Sequence, residues 1–144
     1  MPKAKQFTFY QAGVSSVGQY QMSGIPYATA SQTVPGAQQE VSPLKIAFPN
    51  VTKFVTVVNE NTGANAPLRV GFSALGVTGS AAGGGGTDSY FLLDNGESYT
   101  AEWRLADIYL LGDLVGTTAS VIAGLTGVIR GELPLNWSGN LGVG

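Results

Sequence analysis

The chain contains no histidine and no cysteine among its 144 residues. Without histidine it lacks the side chain that titrates near neutral pH and most often acts as general base or transition-metal ligand. Without cysteine it has no disulfide, no thiol nucleophile and no thiolate ligand for zinc. Only carboxylates, lysines and hydroxyls remain for catalysis, so we expect no enzyme, no cofactor and no bound metal ion.

Charged residues are also scarce. They make up 11% of the chain, and neither Lys nor Arg occurs between Lys5 and Lys45. Because affinity for DNA and RNA depends largely on cations that neutralise phosphates, we expect no nucleic-acid partner. A surface with so few charges indicates that neighbouring proteins cover much of it.

Long apolar runs are missing as well. No run reaches the length that spans a bilayer, and the N-terminal residues lack the apolar core of a signal peptide. The sequence therefore predicts a protein that is made in the cytoplasm and has no stable membrane insertion.

Glycine, in contrast, is abundant, and it is concentrated in the segment GSAAGGGGTDSY, residues 79–90. In a phosphate-binding loop a Lys follows the last glycine and a helix begins there. Here Thr87 and Asp88 follow Gly86, and the next residues, Tyr90 to Leu93, form an apolar run typical of a strand. We interpret the segment as a surface loop between two strands.

The composition changes near residue 40. Residues 1–40 contain seven glutamines among Gly, Ser, Ala and Tyr, which predicts an extended Gln/Gly/Ser-rich N-terminal arm with room for one early strand. From Val41 onwards apolar residues recur with a period of two, which is typical of strands with one buried face. We therefore predict a β-sandwich domain over residues 41–144. The clearest alternation places four residues on one face of a strand: Tyr99, Ala101, Trp103 and Leu105.

Short segments rich in Gly, Pro, Asn and Asp separate these runs. Among them, Asn95-Gly96 suits a tight hairpin turn, where a positive φ is needed. Seven or eight antiparallel strands, without an amphipathic helix or an internal repeat, predict an all-β sandwich or barrel.

Three stretches carry a family resemblance: YFLLDNGESYTAEWRLADIYLLGD, ASVIAGLTGV and NWSGNLGVG. Together they resemble the small single jelly-roll capsid proteins of icosahedral double-stranded DNA viruses that infect algae and other protists, and most of all the penton (vertex) proteins. The resemblance covers about residues 41–144. It implies a jelly roll of eight antiparallel strands and a homopentamer that closes the fivefold vertex of the virion. It also implies contacts with the major capsid protein and minor capsid proteins.

Candidate interface residues come from both regions. Lysines and glutamines of the arm can bind acidic groups, lipid headgroups or the backbone of a neighbouring subunit, although a tail without a partner stays an alternative. A Glu and an Arg share the outer face of one predicted strand, and a C-terminal Trp is typical of a core or interface anchor. The candidates are Lys3, Lys5, Gln19, Gln21, Glu102, Arg104 and Trp137.

A second function class stays open from sequence alone, namely a carbohydrate-binding or host-attachment β-sandwich such as a viral fibre or decoration protein. Tyr99 and Trp103 are the candidate sugar platform, because aromatic faces suit pyranose rings. Their alternation with apolar neighbours favours a place in the core instead. Glu97 and Glu102, the only closely spaced glutamates, are predicted on opposite faces of one strand, which argues against a glycosidase pair.

Overall fold

The computed structural model describes residues 13–37, 42–79 and 88–133. Eight strands and two five-residue helices lie in these ranges. In chain order they are α1 (Val17–Gln21), β1 (Ile25–Val34), β2 (Leu44–Ala47), β3 (Asn50–Asn59), β4 (Leu68–Gly71), α2 (Ala74–Thr78), β5 (Tyr90–Leu93), β6 (Ser98–Ala101), β7 (Asp107–Gly112) and β8 (Thr117–Ile129). A short 3-10 helix, Arg130–Glu132, follows β8.

The strands form two four-stranded antiparallel sheets. The first sheet has the order β1-β8-β3-β6 and the second the order β2-β7-β4-β5. The pairs are nested, since β4 pairs with β5, β3 with β6, β2 with β7 and β1 with β8. The second half of the chain therefore runs beside the first half, and the predicted all-β fold with eight antiparallel strands is confirmed.

One hydrophobic core fills the space between the sheets. The first sheet contributes Val55, Val57 and Val121, and the second contributes Ile108 and Leu110, all fully or almost fully buried. Each such side chain contributes about 1.5–3 kcal/mol when it leaves water. β-Branched residues are frequent here because they pack well on a pleated surface.

The turn at Asn95-Gly96 is present, but it does not form a hairpin. Glu97 N donates to Asp94 O at 2.9 Å, and Gly96 has φ +77°, as the sequence predicts. The two strands that flank the turn lie in different sheets, because β5 pairs with β4 and β6 pairs with β3. The turn therefore connects the sheets at one side of the sandwich.

The alternation at residues 68–73 predicts Leu68 and Val70 inside and Arg69 outside. Leu68 and Val70 are fully buried in the core. Arg69 does point away from this core, yet it is also buried because α2 packs over it. Its Nη1 donates to the carbonyls of Val77 and Thr78, at 3.2 and 2.8 Å, and its Nε binds Asp113 Oδ1 at 2.7 Å.

The predicted N-terminal arm contributes to the sandwich. Strand β1 pairs with β8 from Ile25 to Val34, with an irregularity at Ser31, where φ is +52°. Upstream, Val14 and Tyr20 pack against a second small core, which is formed by Val51 at the start of β3, Val128 at the end of β8, and Leu133. Residues 13–37 therefore contact the chain's own sheet, and the predicted boundary at residue 40 falls after the first strand. Residues 1–12 and 38–41 lie outside the described part.

Candidate functional site: the uncharged face of the first sheet

From Phe54 to Val58 of β3, the outer face of the first sheet carries no charged side chain. Lys53, the one charged residue within the strands of this sheet, lies outside this area and lines a cavity near α1. Cross-strand pairing places Ala28, Ile122, Thr56 and Thr100 in one row across all four strands. Neighbouring rows add small, hydroxyl and apolar residues. We call the whole set the uncharged face: Pro26, Ala28, Phe54, Thr56, Val58, Ser98, Thr100, Ser120, Ile122 and Gly124.

Contacts between neighbouring side chains on this face keep them close to the sheet. The ring of Phe54 lies directly over Gly124, where an added Cβ would come within 2.3 Å of Phe54 Cε1. Only glycine leaves room for that ring. The hydroxyl groups of Thr56 and Thr100 bind each other at 2.7 Å, so these polar groups satisfy one another along the face. Ile122, at the centre, is 45% exposed.

Sequence reasoning missed Ile122 and its neighbours as a site. A signal was present, because ASVIAGLTGVI, residues 119–129, has apolar residues on both faces of a strand and no charged residue. A strand of this kind has both faces covered, whereas a strand with one solvated face alternates apolar and polar residues. In this structure the inward face of β8 is covered by the core and its outward face at Ile122 is exposed.

A cavity of about 380 Å³ borders the α1 end of this sheet. At this cavity Arg104 connects the residues after β6 with the segment around α1. Its Nη1 donates to Val14 O at 3.2 Å, and its guanidinium lies 5.8 Å from the Tyr20 ring. Lys53, which also lines the cavity, donates from its Nζ to Met22 O. The cavity is lined by Val14, Ser15, Val17, Tyr20, Lys53, Glu102 and Arg104.

Two of the candidate interface residues predicted from sequence, Glu102 and Arg104, meet at this cavity. The expectation that they share the outer face of a strand is wrong, because β6 ends at Ala101 and both residues follow it. Gln19 contacts its own sheet, where its Oε1 accepts a hydrogen bond from Gly127 N at 2.9 Å. Gln21 is the exposed last residue of α1. The remaining candidates, Lys3, Lys5 and Trp137, lie outside the described residues.

Aromatic residues cluster at the side of the sandwich where β5 and β6 form the sheet edges. Trp103 lies 5.0 Å from Phe72 and 5.9 Å from Tyr99, measured between ring centroids. Trp103 is half-buried against the core, which agrees with its predicted place. Tyr99, in contrast, is 50% exposed, so the prediction that it is buried is wrong. The reason is that β6 is an edge strand with no neighbour on its outer side among the described residues.

Over residues 13–37, 42–79 and 88–133 no group of three or more carboxylates is arranged to hold a metal ion. In the same ranges the helices are too short to span a membrane.

Comparisons with known proteins do not extend this description. No protein-family model matches the sequence, and neither a curated protein nor a solved structure gives a match.

Proposed function

We propose that this protein is a structural viral capsid subunit of the penton type, which forms a homopentamer at the fivefold vertex of an icosahedral virion. The nested order of strand pairs supports a jelly roll, an architecture used by viral capsid and lectin domains. The major capsid protein and minor capsid proteins are its further partners in the shell. Its role is mechanical and requires no catalysis.

The uncharged face is the observation that carries this proposal. The centres of protein interfaces are depleted in charged residues, because a charge buried without a partner is costly. A patch of uncharged residues that spans four strands, with Ile122 exposed at its middle and Lys53 outside it, suits contact with another protein surface. The low overall charge of the chain favours the same interpretation, since it predicts extensive coverage by neighbours.

A ring requires a different geometry from a twofold dimer. In a closed ring each copy binds its neighbour head to tail, so the uncharged face of one subunit contacts a different surface on the next. Such a contact buries Ile122 and the threonine row, whereas surfaces elsewhere stay exposed to solvent or to the rest of the shell. Apolar burial supplies most of the affinity, and shape decides the angle at which the ring closes.

The experiment is a mass measurement by light scattering during size-exclusion chromatography at several protein concentrations. We expect the pentamer for the natural chain and the monomer for Ile122→Glu, since the carboxylate would be desolvated in the interface. Leu75→Glu is the matched control, because Leu75 is also apolar and 60% exposed but lies on α2 over the second sheet. Its mass should stay that of the natural chain.

Two results would contradict the proposal. The first is that the natural chain stays monomeric at every concentration, both alone and in the presence of the major capsid protein. This result would contradict the capsid role. If the Ile122→Glu variant still forms a pentamer, the interface between subunits does not include the centre of the uncharged face. Unfolding curves of both variants separate loss of assembly from loss of folding, because an exposed apolar-to-Glu change alters stability by only about 0.5 kcal/mol.

A carbohydrate-binding role is the second candidate, and a specific cavity favours it. The cavity has a volume of about 300 Å³ and is lined by Phe72, Asp88, Ser89, Tyr90 and Phe91. Aromatic rings beside a carboxylate and a hydroxyl are the groups that bind sugars. A glycan array with the natural chain and with Phe91→Ser tests this candidate. Binding that the substitution abolishes would support it, and an array without any signal would remove it.

A further inference from the structure

The two ends of the first sheet differ in charge. At the α1 end, the side chains of Lys53 and Arg104 line the cavity of about 380 Å³. At the other end, Glu60 follows β3, and the turn before β6 contains Asp94 and Glu97. The uncharged face lies between these two ends, so one sheet has a cationic end and an acidic end.

The segments that form the acidic end contain no cation. Neither Lys nor Arg occurs in residues 54–68 or 88–103, and Glu60, Asp94 and Glu97 are all exposed. Backbone hydrogen bonds keep these segments together, because Asn59 N donates to Glu97 O and Gly96 N donates to Asn59 O, both at 2.9 Å. Like charges held close together repel each other, so a cation from another molecule is favoured at this end.

The cavity at the α1 end suits an acidic group. Its volume lies within the range of about 300–1,000 Å³ that is typical of ligand sites. Lys53 Nζ donates to Met22 O, and since an ammonium has three N–H donors, this bond occupies one of them. Arg104 contributes a second positive charge, and its Nη1 donates to Val14 O. The cavity is lined by two cations and one carboxylate, that of Glu102, so its lining is net positive.

The acidic end of the same chain is too distant to fill this cavity. Along β3, seven residues separate Lys53 from Glu60, which corresponds to roughly 23 Å at about 3.3 Å per residue. Asp94 and Glu97 lie at the same end as Glu60, because Asn59 and Glu97 are joined by a backbone hydrogen bond. A lysine side chain is far shorter than this distance. The complementary acidic turn therefore comes from a second copy of the chain.

We propose that the cavity of one copy binds the acidic turn of the next copy, with Asp94 and Glu97 facing Lys53 and Arg104. The contact rests on the proposed self-assembly and names the charged groups of its head-to-tail interface. Glu97 Oε2 accepts from Asp94 N at 2.8 Å, so both carboxylates are held on one turn before binding. Burial of the uncharged face supplies affinity, and the charged contact decides which end of the neighbour is bound.

Charge reversal tests the contact, with self-association of the full chain measured by analytical ultracentrifugation at several concentrations. We expect Asp94→Lys and Lys53→Glu each to weaken association about tenfold or more, because each substitution places like charges together. The variant with both substitutions should recover most of the affinity, since the two charges are exchanged.

The matched control is Glu132→Lys, which changes the net charge as much as Asp94→Lys does. Glu132 is exposed and follows β8 at the α1 end of the sheet, away from the acidic turn. Its replacement by a cation should not weaken association.

A mixture of the two single variants shows whether the contact joins different copies. Lys53→Glu keeps the natural acidic turn, and Asp94→Lys keeps the natural cavity. The altered cavity of the first variant and the altered turn of the second are again complementary. We expect the mixture to associate at concentrations at which each variant alone stays monomeric. Such a rescue also shows that the single variants are folded.

Four results would overturn the contact. They are self-association of both single variants equal to that of the natural chain, a loss that neither the double variant nor the mixture restores, a loss with Lys53→Glu alone, and a natural chain without self-association. The third would mean that another acidic group occupies the cavity.

This test and that of the capsid role have distinguishable outcomes. A pentamer that is insensitive to both charge reversals would keep the capsid role and overturn the contact. A dimer that both reversals weaken and the mixture restores would support the contact and contradict the fivefold ring.

Discussion

Asn59 connects separate parts of the sandwich, and its replacement is the sharpest test of the fold. The side chain is fully buried at the end of β3. Its Nδ2 donates to Ala66 O at 2.9 Å and to Leu93 O at 3.1 Å. Its Oδ1 accepts from Asn61 N at 3.2 Å and from Thr117 Oγ1 at 2.9 Å. One amide group therefore joins both sheets and a loop.

The expected cost of Asn59→Ala follows from these bonds. A hydrogen bond contributes about 0.5–1.5 kcal/mol net, and buried groups left without a partner increase the loss. Four bonds predict a decrease of about 4 kcal/mol in the free energy of unfolding. Because a small domain has a total of about 5–15 kcal/mol, the variant should be close to the limit of folding. Thr117→Val removes one of the bonds and should cost about 1 kcal/mol.

Urea unfolding followed by tryptophan fluorescence measures these differences. With a slope near 2 kcal/mol per molar urea, Asn59→Ala should lower the midpoint by about 2 M. The matched control is Thr56→Ala, which lies on the same strand but removes a bond between exposed hydroxyls and should cost under about 1 kcal/mol. If Asn59→Ala destabilised the protein no more than Thr56→Ala, the buried amide would not connect the sheets as described.

Two further substitutions test the close approach of the backbone and the anchoring of α2. An added Cβ at Gly112 would lie 2.0 Å from Val115 O, so Gly112→Ala should lower the melting temperature by several degrees, at a cost of about 2–3 kcal/mol. The control is Gly63→Ala, whose added Cβ would have no atom within 4 Å, so its melting temperature should stay unchanged. Equal shifts of the melting temperature in the two variants would show that the close contact at Gly112 does not matter for stability. Arg69→Met leaves Asp113 Oδ1 and the C-terminal carbonyls of α2 without their donor and should cost about 3 kcal/mol in urea unfolding, with faster amide exchange in α2. Unchanged stability would mean that the buried ion pair does not hold the helix.

Strands and turns were predictable because their signals are local. Period two in ESYTAEWRL indicates a strand whatever its partner is, and Gly96 has the positive φ that the turn requires. The end of β6 was less predictable, because the alternation continues to Leu105 while the pairing with β3 stops at Ala101. Glu102 and Arg104 were therefore placed on a strand that does not reach them.

The candidate site was harder to predict than the fold. Gln19 and Gln21 were chosen because the N-terminal region is rich in glutamine. The side chain of Gln19, however, already accepts a hydrogen bond from Gly127 in β8 of the same chain. Ile122 was passed over because an apolar run predicts burial without saying which face is covered by the chain itself. Asn59 resembles an ordinary turn residue at the end of a strand, since Asn is common there. Its burial depends on loops and strands that are distant in sequence.

The sequence by itself determined the class of structure and the chemistry that is missing. β-Branched residues with a period of two, separated by turn residues, favour strands through local sterics and through burial of one face. The lack of histidine and cysteine excludes thiol and imidazole chemistry whatever the fold is. The tertiary structure alone decided the partners, such as Ile25 with Leu125, because pairing depends on contacts between residues far apart in the chain. It also decided which apolar face stays open, since exposure is a property of the packed sheets and not of one strand.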